Sequence, residues 1–278
     1  MIDSELVEAA RQRTLLLFIG AGVSANLGLP TFDRLTDVLA EELGYAPDIF
    51  SLLGSYQELA EYYRIEKLGF GPLRSKLDRE WHGEHVELER SYVHRLIPEV
   101  QAPLVYTTNY DHWIEESYQR LGRECQKIVT VADMKKIREG VPQVVKFHGD
   151  FSDDSSLVLT ESDYFERFDF ESPLDIKLRA DALGRSILFL GYSLKDVNIR
   201  LLMFKLKKLW DASKVGSARP QSYVVLGRSN PVQEAVLRGR GIKAIVTEGE
   251  DPGRGLANFL HELVGTAHGK SVGPTWDS

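Results

Sequence analysis

The sequence predicts an α/β fold: a mainly parallel sheet with helices on both faces and a helical insertion after the first strand. Three observations carry that expectation. Short runs rich in β-branched or large apolar residues recur at Leu15 to Ile19, Leu104 to Thr108, Ile128 to Val131, Val144 to Phe147, Ile187 to Leu190, Tyr223 to Leu226 and Ile242 to Val246. Uninterrupted apolar runs of this length suit strands buried on both faces. Most are followed by helical patterns, as in His112 to Leu121 and Val197 to Leu209, and strands alternating with helices imply parallel pairing. The exception lies between Asp33 and about Pro98, where Leu35, Val38, Leu39 and Leu43, then Leu88, Tyr92 and Leu96, recur at helical spacing with no strand between them. That interval is read as a helical insertion, about 33–98, within one domain spanning 1–278.

Composition narrows the function. A chain of 278 residues that is 43% hydrophobic can bury a substantial core. Its 34 basic and 41 acidic side chains leave a formal charge of -7, which argues against general affinity for nucleic-acid backbones or anionic membranes. No stretch reaches the roughly 20 apolar residues of a membrane span, and MIDSELVEAARQR lacks the pattern of a signal peptide, so the expected location is the cytoplasm. Cys125 is the single cysteine, which excludes an internal disulfide and a four-cysteine zinc site. No metal is expected.

Several features have plain readings. His82 and His85 lack a clear third metal ligand and fit a solvated helix start. Asp150 to Asp154 reads as a solvated loop, and Tyr56, Leu59 and Tyr63 as a core stripe. Lys205, Lys207 and Lys208 form a charged helix face opposite Leu202, Leu206 and Leu209. A closing helix is expected over Leu256 to Val264, followed by a loose tail, 265–278.

The first strand runs directly into Gly20-Ala21-Gly22-Val23-Ser24-Ala25, which fits G-x-G-x-x-G/A at a strand-to-helix turn. Small residues there let a pyrophosphate approach backbone N–H groups, the feature of a Rossmann-like dinucleotide site. A dehydrogenase would add an acidic residue about 20 positions later at the end of a second strand. Glu41 and Glu42 stand at that distance but inside the helical pattern DRLTDVLAEEL, so that class is disfavoured.

The turn continues as GAGVSANLGLPTF, Gly20 to Phe32. It is followed in order by TTNYD at Thr107 to Asp111, by His148-Gly149 after VVKF, and by GYSLKD at Gly191 to Asp196 after ILFL. Each string ends a predicted strand, where open α/β sheets bind ligands. The ordered set, from Leu15 to Leu202, resembles the NAD-binding motifs of the sirtuins. Lacking the zinc ribbon of protein-deacylating sirtuins, the chain resembles the zinc-less sirtuin-like domains of bacterial antiphage systems. That resemblance implies hydrolysis of NAD to nicotinamide and ADP-ribose, with NAD depletion aborting infection.

The resemblance also implies the site. Asn109 would orient water or ribose at the anomeric carbon, its amide offering a donor and an acceptor without charge, and His148 would bind ribose hydroxyls and act as general base. Asp111 would take the nicotinamide carboxamide. Gly20, Ala21, Gly22 and Ser24 would hold phosphates, Gly191 and Ser193 would line the ribose and phosphate groove, and Thr108 would add a contact. Nicotinamide leaves as a neutral molecule from a cationic ring, so no acid is needed to protonate it. Asn109 and Asp111 also suit caps for the helix near His112, and Asp196 suits an N-cap, outside the catalytic set. Two other functions compete: an ADP-ribosyltransferase or deacylase using another acceptor, and a non-enzymatic NAD or ADP-ribose sensor. A free NAD hydrolase would poison its host, so control is expected from homo-oligomerisation or from a separately encoded partner, such as a HerA-type ATPase or a nucleotide-processing protein.

Overall fold

Seven strands form one sheet: β1 (Leu15–Ile19), β2 (Leu104–Thr107), β3 (Gln126–Ile128), β4 (Gln143–Lys146), β5 (Ser186–Leu190), β6 (Ser222–Leu226) and β7 (Ile242–Val246). The order is β3-β4-β2-β1-β5-β6-β7, with every pair parallel, which is the predicted Rossmann-like arrangement. The structure is a computed structural model that describes residues 2–30, 32–194, 196–213, 219–247, 249 and 251–273.

The helices are α1 (Ser4–Arg11), α2 (Ala21–Ser24), α3 (Phe32–Leu43), α4 (Pro47–Phe50), α5 (Tyr56–Lys67), α6 (Gly71–Trp81), α7 (Tyr92–Glu99), α8 (Trp113–Arg120), α9 (Val131–Met134), α10 (Glu161–Glu166), α11 (Pro173–Leu183), α12 (Val197–Ala212), α13 (Pro231–Gly239) and α14 (Pro252–His268).

The apolar strands serve two cores at once. In β1, Leu15, Leu17 and Ile19 join the core under α1, α7, α8 and α14, whereas Leu16 and Phe18 join the core under α11, α12 and α13. This is the period-two alternation of a strand covered on both faces. Register aligns the strand ends. Ile19 stands level with Thr107 on one side and Leu190 on the other, and Thr107 with Lys146. The chain leaves β1 for β2 on one side and later returns to place β5 on the other, so the topological switch lies between β1 and β5, where open sheets bind ligands.

Between β1 and β2 the chain is helical, and its third core sits over those strand ends. Leu39, Phe50, Tyr63, Leu77 and Trp81 pack with Tyr110, which follows β2, and Phe151, which follows β4. Trp81 and Phe151 ring centroids are 5.4 Å apart, and Trp113 Nε1 donates to the Trp81 carbonyl at 2.9 Å. Leu59 and Tyr63 are core and Tyr56 packs against them, as the stripe predicts. Ser55 and Glu58 form a reciprocal capping box that starts α5.

Four local expectations change. The run Ile128 to Val131 ends its strand at Ile128, because the Asp133 carboxylate accepts from the Val129 and Thr130 N–H groups and turns the chain into α9. The closing helix is longer than Leu256 to Val264: Asp251 caps its start, and Gly269, with φ at 66°, ends it after His268. Residues expected to be loose from Gly265 are therefore helical as far as His268, and Tyr92 donates to the Val272 carbonyl at 2.6 Å; residues 274–278 of that tail lie outside the described residues. Leu209, placed with the buried face of α12, is 52% exposed, whereas Leu202 and Leu206 are buried. His82 is neither solvated nor poised for a metal. Its Nδ1 is 2.6 Å from Asp78 Oδ1, its Nε2 accepts from the His112 N–H at 3.3 Å, and its ring stacks on His112.

His94 of α7 is fully buried, with Nδ1 2.7 Å from Ser91 Oγ. Burial pushes its imidazole down to about 4, against a smaller opposing pull from Asp111. The unfolded chain then binds a proton near pH 6.5 that the folded chain refuses until about pH 4. Stability is complete above pH 6.5 and falls as the pH drops through this window, by up to roughly 3 kcal/mol from this residue. Urea midpoints measured from pH 7 to pH 4.5 should decline, and His94→Gln should flatten the slope.

Candidate active site

The site begins where β1 meets β5. Gly20 N donates to the Leu190 carbonyl at 3.0 Å and Gly22 N to the Gly191 carbonyl at 2.9 Å. A Cβ on Gly20 would lie 2.4 Å from Tyr192 Cδ2, and one on Gly22 would lie 2.7 Å from Gly191 O. Gly191 itself has φ at 56° and would drive a Cβ to 2.4 Å from Val23 N. The two glycine motifs thus interlock, and their lack of side chains is required by backbone contact before any phosphate arrives. That requirement was not visible in either motif alone.

Beside this seam a buried relay joins four of the expected residues. Asn109 donates from Nδ2 to Gly20 O at 3.2 Å and to Ser24 Oγ at 2.9 Å; Ser24 donates to Asp111 Oδ2 at 2.7 Å; and Asp111 Oδ1 accepts from Trp113 N at 3.2 Å. The capping role of Asp111 at α8 is therefore real and coexists with its place in the site. Asn109 does not cap α8: its own N–H donates to Thr107 Oγ1 at 3.0 Å. Ser24 is 4% exposed, its hydroxyl taken up by Asn109 and Asp111. With both Nδ2 bonds made to protein, Asn109 Oδ1 is left buried without a hydrogen-bond partner among the described residues, while Thr108 meets the Tyr192 hydroxyl.

His148 heads a second group. It is 1% exposed, Nδ1 has no hydrogen-bond partner among the described residues, and Nε2 lies 3.3 Å from Asp196 Oδ2. Burial, reinforced by the nearby Arg167 charge and opposed by Asp175 and Asp163, holds the imidazole well below its ordinary range. It is neutral at physiological pH. Asp196 caps α12 as predicted, accepting from Asn198 N at 2.8 Å and Ile199 N at 3.2 Å. Its position against His148 was not foreseen. Burial pushes its carboxyl up, against those two backbone bonds. The buried Tyr192 hydroxyl stands between Asp196 and Thr108, interacts with both, and so links the two groups.

Two buried cations that sequence reading passed over hold the strand-end loops. Lys146, 0% exposed, closes β4 just before Phe147-His148; its ammonium donates to the Asp111 carbonyl and stands 3.7 Å from Glu115 and 3.9 Å from Asp150. It ties the loop after β2 to the end of β4. Arg167, at the end of α10, grips Asp175 through two bonds of 2.6 and 3.2 Å, donates to the Phe147 carbonyl at 2.6 Å, and lies 3.8 Å over the Phe147 ring. A lysine in the otherwise apolar run VVKF was a usable signal, whereas nothing local marked Arg167 and Asp175.

Two cavities flank the glycine seam. A narrow one of about 20 Å³ lies among Ala21, Ser24, Leu29, Pro30, Leu35, Trp81 and Thr108 to Asp111, under the helical segment. An open cleft of about 640 Å³ lies between the turn after β5 and α13, lined by Gly191, Tyr192, Ser193 and Leu194 and by the residues after β6. Of the predicted residues, Asn109, Asp111, Ser24 and Gly20 share direct bonds and Thr108 adjoins them. His148 lies with Asp196, and Gly191 and Ser193 line the open cleft. Removing Lys146 would strand buried Glu115, whose carboxyl burial already pushes up, whereas Asp150 keeps Lys127 at 3.2 Å. Breaking a buried pair costs about 3–5 kcal/mol, so Lys146→Met should lower the urea midpoint by a stability loss of that size, and adding Glu115→Gln should restore part of it.

A family model described as "SIR2-like domain" matches residues 103–245. An NAD(+) hydrolase ThsA of Enterococcus faecium is 32% identical over 204 residues, covering 70% of this chain and 40% of that protein. An NAD(+) hydrolase ThsA of Acinetobacter baumannii is 29% identical, covering 74% of this chain and 42% of the relative. Defense-associated sirtuin 2 of Bacillus subtilis is 30% identical, covering 74% and 20% respectively. The chain spans less than half the length of these relatives. With its match over β2 to β7 and the motif residues gathered at the strand ends, the chain belongs to the SIR2-like family.

Proposed function

We propose that this chain hydrolyses NAD to nicotinamide and ADP-ribose, as an NAD-depleting effector of antiphage defence. The observation that carries the reading is a pair of buried polar atoms at the strand ends that have no hydrogen-bond partner among the described residues: Asn109 Oδ1 and His148 Nδ1. Such atoms are costly unless a ligand or water satisfies them. Hydroxyl-rich ribose supplies donors and acceptors to match. The relatives named NAD(+) hydrolase support the same substrate.

In this reading the dinucleotide crosses the Gly20–Gly191 seam, with its nicotinamide ribose against Asn109 and its adenosine in the open cleft lined by Gly191 and Ser193. Asn109 Oδ1 holds a water toward the anomeric carbon, fixed there because Nδ2 is pinned by Gly20 and Ser24. The water oxygen bonds to C1′ and the C1′–N bond breaks, its electron pair leaving with neutral nicotinamide. The water proton passes to His148, which burial keeps unprotonated, with Asp196 placed to favour the imidazolium as it forms. Asp111 takes the nicotinamide carboxamide. The narrow cavity of about 20 Å³ holds roughly one water, so admission of the ribose needs it to widen, with the Leu29–Pro30 segment and Trp81 withdrawing. Assembly with other copies, or a separately encoded HerA-type ATPase or nucleotide-processing protein, would supply that opening.

Nicotinamide release from NAD, measured alone and with candidate activators, should fall by about 100-fold or more in Asn109→Ala and in His148→Ala. Failure of every preparation to release nicotinamide would remove the proposal. Because free-enzyme His148 stays neutral, kcat/KM should be flat between pH 8 and pH 6. An acid limb centred near 6.5 would contradict the depressed imidazole.

A further inference from the structure

We infer that the chain takes NADP as well as NAD, with Arg200 and Arg228 receiving the 2′-phosphate of the adenosine ribose. The inference rests on the orientation proposed above, in which adenosine occupies the cleft of about 640 Å³ beyond the glycine seam. That volume is ample for a nucleoside, and Val232 and Val236 of α13, 75% and 48% exposed, offer an apolar wall for the base. The electrostatics decide between the cofactors. Sites selective for NAD set a carboxylate against the ribose diol, which repels a 2′-phosphate, whereas sites for the phosphorylated form use arginine. Arg200, Arg228 and Arg240 line this cleft, and among the described residues no aspartate or glutamate does. Arg228 follows Gly227 at the end of β6, and Arg200 lies in the first turns of α12, beside the Gly191 turn; both are exposed at the cleft. Glu234, the carboxylate of the adjoining turn, is occupied in accepting from Ser229 Oγ at 2.7 Å and Asn230 N at 2.9 Å. Among the described residues lining the cleft, a phosphate dianion entering here meets arginines and no carboxylate.

Binding and turnover of the purified full chain test this separately. By calorimetry, adenosine 2′,5′-bisphosphate should bind about tenfold more tightly than adenosine 5′-diphosphate, which has as many phosphates but none at the 2′ position. NADP should release nicotinamide with a kcat/KM at least equal to that of NAD. The double variant Arg200→Gln/Arg228→Gln should lower the NADP-to-NAD ratio of kcat/KM by about tenfold. Cleavage of NAD without cleavage of NADP overturns the inference and leaves the hydrolase reading standing. Equal binding of the two adenosine phosphates overturns it, as does a proportional loss on both substrates, which would assign the arginines to the shared pyrophosphate. If neither dinucleotide is cleaved, the hydrolase reading fails and the binding comparison alone decides the phosphate site.

Discussion

A close backbone contact, where the turn after β1 presses against the turn after β5, sets the positions of the groups around it. Gly20, Gly22 and Gly191 allow two chain segments to meet at distances no side chain tolerates. Because Gly20 O accepts from Asn109, the same contact fixes the amide that belongs to a third strand end. The hydrogen-bonded series from Gly20 through Asn109 and Ser24 to Asp111 then runs into the start of α8. A displacement of either glycine turn would be felt at each of those groups, because buried polar chains have few alternative partners.

Charge buried behind the site serves the same end. Lys146 and Arg167 each bond a backbone carbonyl beside a candidate reactive residue, Asp111 in one case and Phe147 in the other. Their carboxylate partners lie out of solvent. Pairs of this kind add little net stability but punish rearrangement severely, which suits loops that must hold an amide and an imidazole in fixed orientation. The Arg167 charge has a second effect on His148: together with burial it keeps the ring neutral. An anionic pyrophosphate bound nearby would offset that field and raise the proton affinity of the imidazole when substrate is present.

Strand positions were legible because a doubly covered parallel sheet writes itself as uninterrupted apolar runs; β1, buried at every position, matches its run residue for residue, and the edge strand β7, with only Ile242 buried, keeps the bounds read for it. The helical insertion was equally readable from its spacing, though not its placement over Tyr110 and Phe151, since contacts between distant segments leave no periodic trace. The error at β3 came from Asp133, whose side chain competes for strand N–H groups. At the site, the motif strings offered two roles for Asp111, a helix-start contact and a ligand contact, and one for Asp196. The structure shows Asp111 bonding the first N–H of α8 and the Ser24 hydroxyl, and brings Asp196 to His148 through the geometry of a helix cap. Sequence spacing could not show that Gly22 N–H and Ser24 Oγ are spent within the protein, because those partners come from other strand ends.

In the proposed complex a nicotinamide ribose sits against Asn109 at the end of β2, with the pyrophosphate over the Gly20–Gly191 seam. A crystal structure with a non-hydrolysable carbocyclic NAD analogue should show the C1′ position one water away from Asn109 Oδ1, with the Leu29–Pro30 segment and Trp81 drawn outward. An analogue bound with its nicotinamide end in the open cleft beside α13, leaving Asn109 Oδ1 and Thr108 Oγ1 untouched, would contradict that placement.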